Sequence, residues 1–468
     1  MNVQAPERPT EDLFPGADEY RGFLDRRRRK AFTFKMFCLA MLTIAVLALV
    51  SLLYTIVNDS FGLVAMVNEN EPEDIVAGLG YDPETTALDD VEYDELVGLL
   101  QDNVSSGVGR RLEREQRFYE DRLVFESEEV WAEICRSEEP PTGCDLGPRG
   151  QADVVQLVNE RVVVPDVIAL YDLVPSLLDP EGFEEDVAAG FAADRFPDHT
   201  PDQVTIEWRA WFNPTFLTTP QNSTPEVAGI RTAILGSAWL VLITVAFAVP
   251  VGVGAAIYLV EYAKPSRVNE FIQTNINNLA GVPSIIYGML GLAVFVRLLE
   301  PFSSGAMFTD GVPPSDDGRT VVAAGLALGL LTLPVVIISA QEALKAVPNT
   351  IRYAGLALGA TRWQTVRSQI LPVALPGILT GSILAVARAV GETAPLILVG
   401  AASFITTDPT GPFSKFTALP IQIFQWTSFP QEEFRSIAAA ASIALLLLLL
   451  TLNAAAVILR NRYSRRAE

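Results

Sequence analysis

Histidine and cysteine are scarce in this sequence, and their scarcity limits the chemistry that the chain can perform. The 468 residues include one histidine, His199, and three cysteines, Cys38, Cys135 and Cys144. Two neighbouring thiols and a single imidazole do not make a four-ligand zinc site, so neither a metal nor another cofactor is expected. No Gly-x-x-x-x-Gly-Lys-Ser/Thr motif is present, so any ATP that this protein uses is expected to bind another subunit.

Positive charge is scarce in one part of the chain. The whole chain is 50% hydrophobic, with a mean hydropathy of +0.29, yet its net charge is −22. Residues 58–225 hold 37 acidic and 10 basic residues, a balance of −27 that leaves the rest of the chain at +5. The composition indicates a basic membrane protein with an acidic insert, which would repel nucleic acid. The acidity either keeps the insert soluble, which we favour, or forms an acidic binding face.

Long apolar stretches predict six membrane-spanning helices. The first, residues 36–57, is an uncharged run of 22 residues after a basic run at residues 26–30, which favours a cytoplasmic N-terminus. The other predicted spans are residues 232–260, 271–296, 320–340, 374–405 and 436–459. The predicted organisation is a cytoplasmic tail (1–35), the first span (36–57), an extracytoplasmic insert (58–225), a five-helix core (226–460) and a cytoplasmic tail (461–468).

The insert is predicted to be an α+β domain. Residues 93–100 and 112–123 have helical spacing, whereas residues 154–164 and 203–208 have the β-branched character of strands. Cys135 and Cys144 flank a Pro-Pro-Thr-Gly turn. Outside the cytoplasm, such a pair is expected to form a disulfide.

The segment 341–372, a basic loop between two predicted spans, has the pattern of two short helices. Thr350 is expected to cap the first, and Gly359 to end it in the left-handed conformation. The apolar face of this helix is expected to consist of Ile351, Ala354 and Leu358. Thr361 and Gln364 are spaced as a capping box for the second helix, which Pro372 is expected to stop.

The spacing from Gly359 to Pro372 resembles the cytoplasmic coupling loop, or EAA loop, of ABC importer permeases. Two later motifs, Arg-Ala-Val-Gly-Glu-Thr-Ala-Pro at residues 388–395 and Ala-Leu-Pro-Ile-Gln-Ile-Phe at residues 418–424, resemble the A-type permease of phosphate importers. The resemblance covers roughly the second half of the chain and the first span. Where the family's loop usually opens with Glu-Ala-Ala, this chain has Tyr-Ala-Gly at residues 353–355.

The resemblance implies an all-α membrane protein with the six-helix fold of type I ABC importer permeases, in the bacterial inner membrane, with both termini cytoplasmic. It implies phosphate as the substrate and ATP hydrolysis in a partner chain. The implied partners are a second permease subunit, two ATP-binding subunits and an extracytoplasmic phosphate-binding protein. Residues implied to contact the ATPase are Glu342, Tyr353, Ala354, Gly355, Gly359, Ala360, Thr361 and Trp363.

Two charges stand alone in the predicted fifth span. Arg388 and Glu392 are four residues apart, which places them on one face of a helix. In one interpretation they form an ion pair that only neutralises its own charges. In the other, Arg388 is a positively charged site along the path of an anion, which we call a waypoint, and Glu392 restrains and tunes the arginine. The second interpretation is favoured because charges inside membranes usually mark pathways. Thr393 either adds a hydroxyl to this pathway or bonds back to its own helix.

Two other functions remain open. The first is a permease for a different oxyanion, such as sulfate, molybdate or a phosphonate. The second is a membrane receptor whose acidic insert senses a ligand, although the predicted cytoplasmic tails are too short for an output domain.

Overall fold

The computed structural model describes residues 17–83, 85–103, 154–155, 158–193, 195–196, 200–222, 224–308, 318–401, 404–405 and 408–464. The predicted helix at 112–123, the predicted disulfide between Cys135 and Cys144, and His199 lie outside these residues. Contacts divide the chain into two compact units, residues 1–56 and residues 57–468.

The first unit is described for part of one long helix, α1 (Ala17–Asp59). Nearly all of the described side chains of this helix up to residue 56 are exposed, including the apolar ones. The stretch Arg27–Asp59 is long and apolar enough to cross a membrane, and it contains the predicted first span. An exposed apolar surface of this kind suits a lipid environment.

The chain between α1 and the next long helix contains a three-stranded antiparallel sheet. Its strands are β1 (Phe61–Asn68), β2 (Pro165–Leu170) and β3 (Val204–Ala210), in the order β2-β1-β3. The central strand β1 pairs Val64 with Leu170 on one side and Ala65 with Ile206 on the other. The strand predicted at residues 203–208 is therefore confirmed.

The strand predicted at residues 154–164 is wrong. Asn159–Val163 forms a π-helical turn, and Val164 has a positive φ of 47°, so β2 begins only at Pro165. Val154, Val158 and Val162 are buried together in one apolar cluster, and their four-residue spacing is helical. The β-branched composition, which favours strands, misled the prediction here.

The described residues of this segment also form short α-helices. They are α2 (Pro72–Gly78), α3 (Tyr93–Asn103), α4 (Leu173–Leu178), α5 (Pro180–Ala192) and α6 (Pro214–Thr218). The helix predicted at residues 93–100 is confirmed within α3. The segment therefore has the predicted mixture of helices and strands.

The rest of the chain is helical in its described residues. Its helices are α7 (Arg231–Ile257), α8 (Arg267–Leu279), α9 (Ser284–Gly291), α10 (Glu300–Ser303), α11 (Val321–Lys345), α12 (Asn349–Ala357), α13 (Arg362–Thr365), α14 (Leu371–Val390), α15 (Ala394–Val399), α16 (Leu419–Trp426) and α17 (Glu432–Ser464). Three π-helical turns are described in this part of the chain. Tyr258–Tyr262 follows α7, Leu292–Leu298 follows α9, and Val366–Ile370 joins α13 to α14.

Among the described residues, five helical stretches are long and apolar enough to cross a membrane, and a sixth span results if one bent pair is counted. The stretches are Arg27–Asp59, Arg231–Tyr262, Val321–Lys345, Arg362–Val390 and Glu432–Arg462. In the bent pair, Arg267–Leu279 and Ser284–Leu298 meet at an angle of 105°. The predicted third span is thus not one straight helix, because its chain turns sharply at Gly281 and Pro283.

The boundaries of the predicted fifth span are wrong at both ends. The helix begins at Arg362, well before residue 374, and ends at Val390, well before residue 405. Pro372 does not stop it. The proline follows the π-helical turn Val366–Ile370, where the hydrogen-bond pattern has already changed, so its missing N–H and its ring are tolerated.

Two buried apolar clusters lie at opposite ends of α7. One cluster joins the sheet to the beginnings of α7 and α17 through Val64, Trp211, Ile230 and Ile437. The other joins the ends of α7 and α11 to the beginning of α14. We call this second region the coupling end of the bundle, because residues 341–372 lie there.

Candidate functional site

Two helix breaks lie side by side in the bundle. The first separates α8 from α9, and the second separates α14 from α15. The two helices that follow these breaks are in close contact, since a Cβ added to Gly288 in α9 would lie 2.6 Å from the Cα of Pro395 in α15. The bend of the first break is fixed by the Tyr287 hydroxyl, which donates to the Leu279 carbonyl at 2.8 Å. A side chain at position 288 would therefore have to displace the backbone of α15.

Arg388 and Glu392 lie at the second break. The Arg388 Nε is 3.5 Å from the Glu392 Oε1, so the two charges are paired. However, α14 ends at Val390, so Glu392 stands in the break and not on the same helix as Arg388. The Arg388 side chain is 66% exposed, whereas that of Glu392 is 19% exposed. The carboxylate therefore holds the arginine from the protein side and leaves most of the guanidinium uncovered.

Arg388 is at the level of the middle of α11, although it lies in the last turn of α14. A small cavity next to it is lined by Val282 from the first break and by Leu331 and Thr332 of α11. Thr332 is 11 residues after the start of α11, which corresponds to about 16 Å along its axis. The charge thus lies level with the middle of α11, at a helix break, and its depth in a membrane stays a prediction.

Thr393 is half-buried at the N-terminus of α15, and no side-chain cap hydrogen bond is formed there. Its backbone carbonyl accepts from Ile397 N at 3.2 Å. The back-bonding role of its hydroxyl is therefore not observed, and a role in the pathway stays a prediction.

The motif at residues 418–424 forms the start of α16 and packs behind the second break. The Ser237 hydroxyl of α7 accepts a hydrogen bond from Leu419 N at 3.0 Å, which caps this helix. Ser237 and Ala418 also line a small cavity with Ala389, the residue after Arg388. Ser237 was missed in the sequence because it is 182 residues from Leu419.

The coupling loop folds into two helices and a glycine turn. Gly359 has a φ of +79°, as predicted, and α12 ends just before it. Thr361 and Gln364 form the predicted capping box: Gln364 Oε1 accepts from Thr361 N at 2.8 Å, and Thr361 Oγ1 accepts from Gln364 N at 3.3 Å. The role predicted for Thr350 is wrong, since α12 begins at Asn349 and Thr350 lies inside it.

The two helices of the loop leave an apolar and aromatic surface uncovered, which we call the knuckle face. Its members are Tyr353, Leu356, Leu358 and Trp363, all of which are exposed. Tyr353 is 68% exposed and Leu358 is 89% exposed. Ile351, expected on the same face as Leu358, is instead half-buried against the coupling end. Four exposed apolar or aromatic side chains within residues 353–363 make this loop a candidate protein interaction site.

The other predicted ATPase contacts have different environments. Glu342 is exposed and pairs with Lys345 at 2.9 Å. Ala354 is exposed and Ala360 is half-buried. Gly355 lies against Thr365, since a Cβ at this glycine would lie 2.8 Å from the threonine Cγ2. The glycine of the Tyr-Ala-Gly sequence thus lets α12 approach the helix that follows it.

Arg352 and Glu261 form an ion pair at the coupling end that was not singled out in the sequence. Arg352 Nη2 is 2.8 Å from Glu261 Oε1, and the two side chains are only 17% and 10% exposed. The two residues are 91 positions apart, so no local pattern indicates their contact. This pair connects α12 to the end of α7.

A mostly buried arginine, Arg209, lies between the sheet and α7. The Arg209 guanidinium donates to the Glu226 carbonyl and lies 4.6 Å from the centre of the Trp211 ring. Burial raises the pKa of Glu226 to about 7 and lowers the pKa of Arg209. The Glu226 carboxyl also lines a larger cavity that contains Glu69 and Asp166. Ionising the Glu226 carboxyl therefore costs free energy in the folded chain.

Comparison with known proteins gives the class of this chain. The family described as "Binding-protein-dependent transport system inner membrane component" matches residues 248–467. The phosphate transport system permease protein PstA of Yersinia pestis is 35% identical over 227 residues, which cover 48% of this chain and 70% of that protein. This chain therefore belongs to the family of binding-protein-dependent transport system inner membrane components.

Other relatives cover a similar part of the chain. The probable ABC transporter permease protein YqgI of Bacillus subtilis is 34% identical over 212 residues, 45% of this chain and 66% of that protein. This chain thus spans about two thirds of the length of these relatives. A solved structure of the MetNI methionine ABC transporter in an inward-facing conformation aligns over 50% of this chain and 95% of its own, at 18% identity and a TM-score of 0.39.

Proposed function

We propose that this chain is the permease subunit of an ABC importer and forms half of the transmembrane path for inorganic phosphate. The observation that carries the proposal is Arg388, an uncovered arginine at mid-depth in the bundle, tethered by Glu392 at a helix break. An arginine fork matches the oxygens of a phosphate, and binding sites in transporters often lie at discontinuous helices. The 35% identity to a phosphate transport system permease supports the same substrate.

A second permease chain is part of the proposal. The Leu384 and Arg388 side chains, one helical turn apart on α14, are both exposed. A charge that faces lipid at this depth is costly, so this face needs a protein or water-filled surface against it. A partner permease with a matching face would enclose the anion path between the two chains.

ATP hydrolysis is assigned to two partner subunits that bind the knuckle face. Tyr353 and Leu356 project from α12, which has no buried residue of its own, and Leu358 directly follows its last residue. Gly359 and the Thr361 capping box fix the angle between α12 and α13, so the loop acts as a rigid projection. Tyr353 replaces the family's usual glutamate and supplies packing instead of charge.

The remaining parts of the proposal concern location. The chain lies in the bacterial inner membrane with both termini and the coupling loop in the cytoplasm, and the segment between α1 and α7 lies outside, where a phosphate-binding protein docks. The basic run at residues 26–30 and the acidic excess of residues 58–225 support this orientation.

The test is reconstitution of the complete transporter in liposomes with its binding protein. Phosphate-loaded binding protein should stimulate ATP hydrolysis and uptake, whereas sulfate, molybdate and a phosphonate should not. Stimulation by one of those anions instead of phosphate would contradict the substrate. Ligand binding without any coupled hydrolysis would favour a receptor.

A variant series tests the role of Arg388 in the same liposomes. Removal of a hydrogen bond to a charged group costs about 1.5–3 kcal/mol, so Arg388→Ala should lower uptake by roughly 10-fold or more. Arg297→Ala, which removes another exposed arginine of the spans, is the matched control. Near-normal uptake by well-expressed Arg388→Ala would refute the waypoint, and the amount of complex recovered controls for the stranded Glu392 charge.

A further inference from the structure

The Arg352 side chain is almost completely used in contacts within this chain. Its Nε lies 3.1 Å and 3.3 Å from the two Glu261 carboxylate oxygens, and its Nη2 donates to Glu261 Oε1 at 2.8 Å. Nη2 also donates to the Leu344 carbonyl at 2.8 Å, and Nη1 donates to the Val347 carbonyl at 2.6 Å and to Asn349 Oδ1 at 3.1 Å. The guanidinium is therefore not available to an ATPase subunit.

These contacts join three helices at one point. Arg352 belongs to α12, Glu261 belongs to the π-helical turn that ends α7, and the carbonyls of Leu344 and Val347 lie at the end of α11. The carbonyls at a helix end lack partners within the helix. Val347 N donates to the Leu344 carbonyl at 3.3 Å, and the arginine adds a shorter bond to the same oxygen. A planar fork with five donors can make all of these bonds at once, which the ammonium of a lysine cannot.

Arg352 makes six hydrogen-bond contacts within the described residues. The helix has no buried residue, although Ile351 is half-buried against the coupling end and Gly355 lies close to Thr365. Both of those contacts connect α12 to the coupling end or to α13. Among the described residues, the hydrogen bonds of the Arg352–Glu261 pair connect α12 to the end of α7.

We infer that the Arg352–Glu261 pair is the link through which movement of the knuckle face enters α7. This inference rests on the proposed function, and it names the membrane helix that receives the movement. From Glu261, α7 runs through the bundle to Ser237 and Leu240, which line the cavity beside Ala389. Movement of α7 along or about its axis would thus change the surroundings of Arg388. Arg352 and Glu261 are positioning residues, since neither touches the proposed anion path.

The first experiment compares single and double variants in the reconstituted transporter. Glu261→Gln and Arg352→Gln should each retain the ATPase subunits but lower uptake per ATP hydrolysed by about 10-fold, because each strands a buried partner. The double variant should be no worse than either single variant, since residues of one link are not additive. Lys345→Gln, which breaks an exposed pair in the same loop, is the matched control and should be close to wild type.

Three results would overturn the inference: normal coupling in Glu261→Gln, additive losses in the double variant, or loss of the ATPase subunits in step with coupling. Arg352→Lys should fail as well, because it keeps the charge but not the fork. Rescue by lysine would mean that charge alone acts here.

The second experiment does not depend on the substrate. An environment-sensitive fluorophore on Leu235→Cys, an exposed position near the other end of α7, should change its emission when ATP and vanadate trap the ATPase subunits. The change should persist in Lys345→Gln and disappear in Glu261→Gln. An unchanged response in Glu261→Gln would refute the link. A failure of phosphate to stimulate the wild-type transporter would instead refute the proposed function, while this readout would still test the link.

Discussion

Gly359 offers a direct test of whether the coupling loop must be rigid. Its φ of +79° lies in the left-handed region, where a β-branched residue is strained. A Cβ added at this position meets no atom within 4 Å. Substitution by valine therefore costs backbone energy alone, on the order of 1–2 kcal/mol.

This cost is large for a local structure held by few bonds. The turn is closed by hydrogen bonds from Gly359 N to the Leu356 carbonyl at 3.0 Å and from Ala360 N to the Gly355 carbonyl at 3.2 Å. A change of 1–2 kcal/mol shifts the population of the native turn by roughly 5- to 30-fold. Gly359→Val should therefore lower substrate-stimulated ATP hydrolysis severalfold while the membrane helices stay folded.

Gly359→Asn is the matched variant, because asparagine also adds a side chain but tolerates the left-handed conformation. It should retain most of the stimulated hydrolysis, measured in liposomes beside the amount of ATPase subunit that co-purifies. Wild-type activity in Gly359→Val would show that the turn need not be fixed. Equal loss in both variants would show that a partner fills the open space at this position, and the backbone argument would then be wrong.

Gly288→Ala should lower the free energy of unfolding of the purified protein by about 1–3 kcal/mol, because the added Cβ would strike the backbone of α15. Gly254→Ala should leave that free energy unchanged, because a Cβ there meets no atom within 4 Å. The pKa of Glu226 is about 7 in the folded chain and 4.5 in the unfolded chain, so the folded chain holds the proton more tightly. The stability that this protonated carboxyl contributes is therefore present below pH 4.5 and is lost as the pH rises to about 7. Glu226→Gln should therefore stabilise the protein at pH 8, by on the order of 2–3 kcal/mol, and not at pH 4. Thiol labelling of denatured, unreduced protein should leave Cys135 and Cys144 unmodified, and labelling of both would contradict the predicted disulfide.

Features set by neighbouring residues were predictable from the sequence. The left-handed Gly359 and the capping box of Thr361 and Gln364 depend on residues three or four positions apart, and both are confirmed. Thr350 was placed wrongly because Pro348 supplies the boundary before it, and α12 begins at Asn349.

Features set by distant contacts were not predictable. Apolar residues stand on both sides of the break at residues 391–393, so hydropathy alone extended the fifth span across it. Glu392 itself was the available signal, since a charge in an apolar run is tolerated where the helix is interrupted. The contact between Arg352 and Glu261 joins positions 91 residues apart, and the sequence showed only a basic loop there.

The cluster that joins the sheet to the bundle has a consequence for biosynthesis. It combines Val64, from the strand that follows α1, with Ile437, from the last long helix. Val64 is therefore synthesised long before Ile437. Contacts between such distant parts of a chain form late in folding. The segment between α1 and α7 cannot close its apolar surface until α17 has been synthesised. A chain truncated before α17 would therefore leave exposed the apolar residues that Ile437 covers.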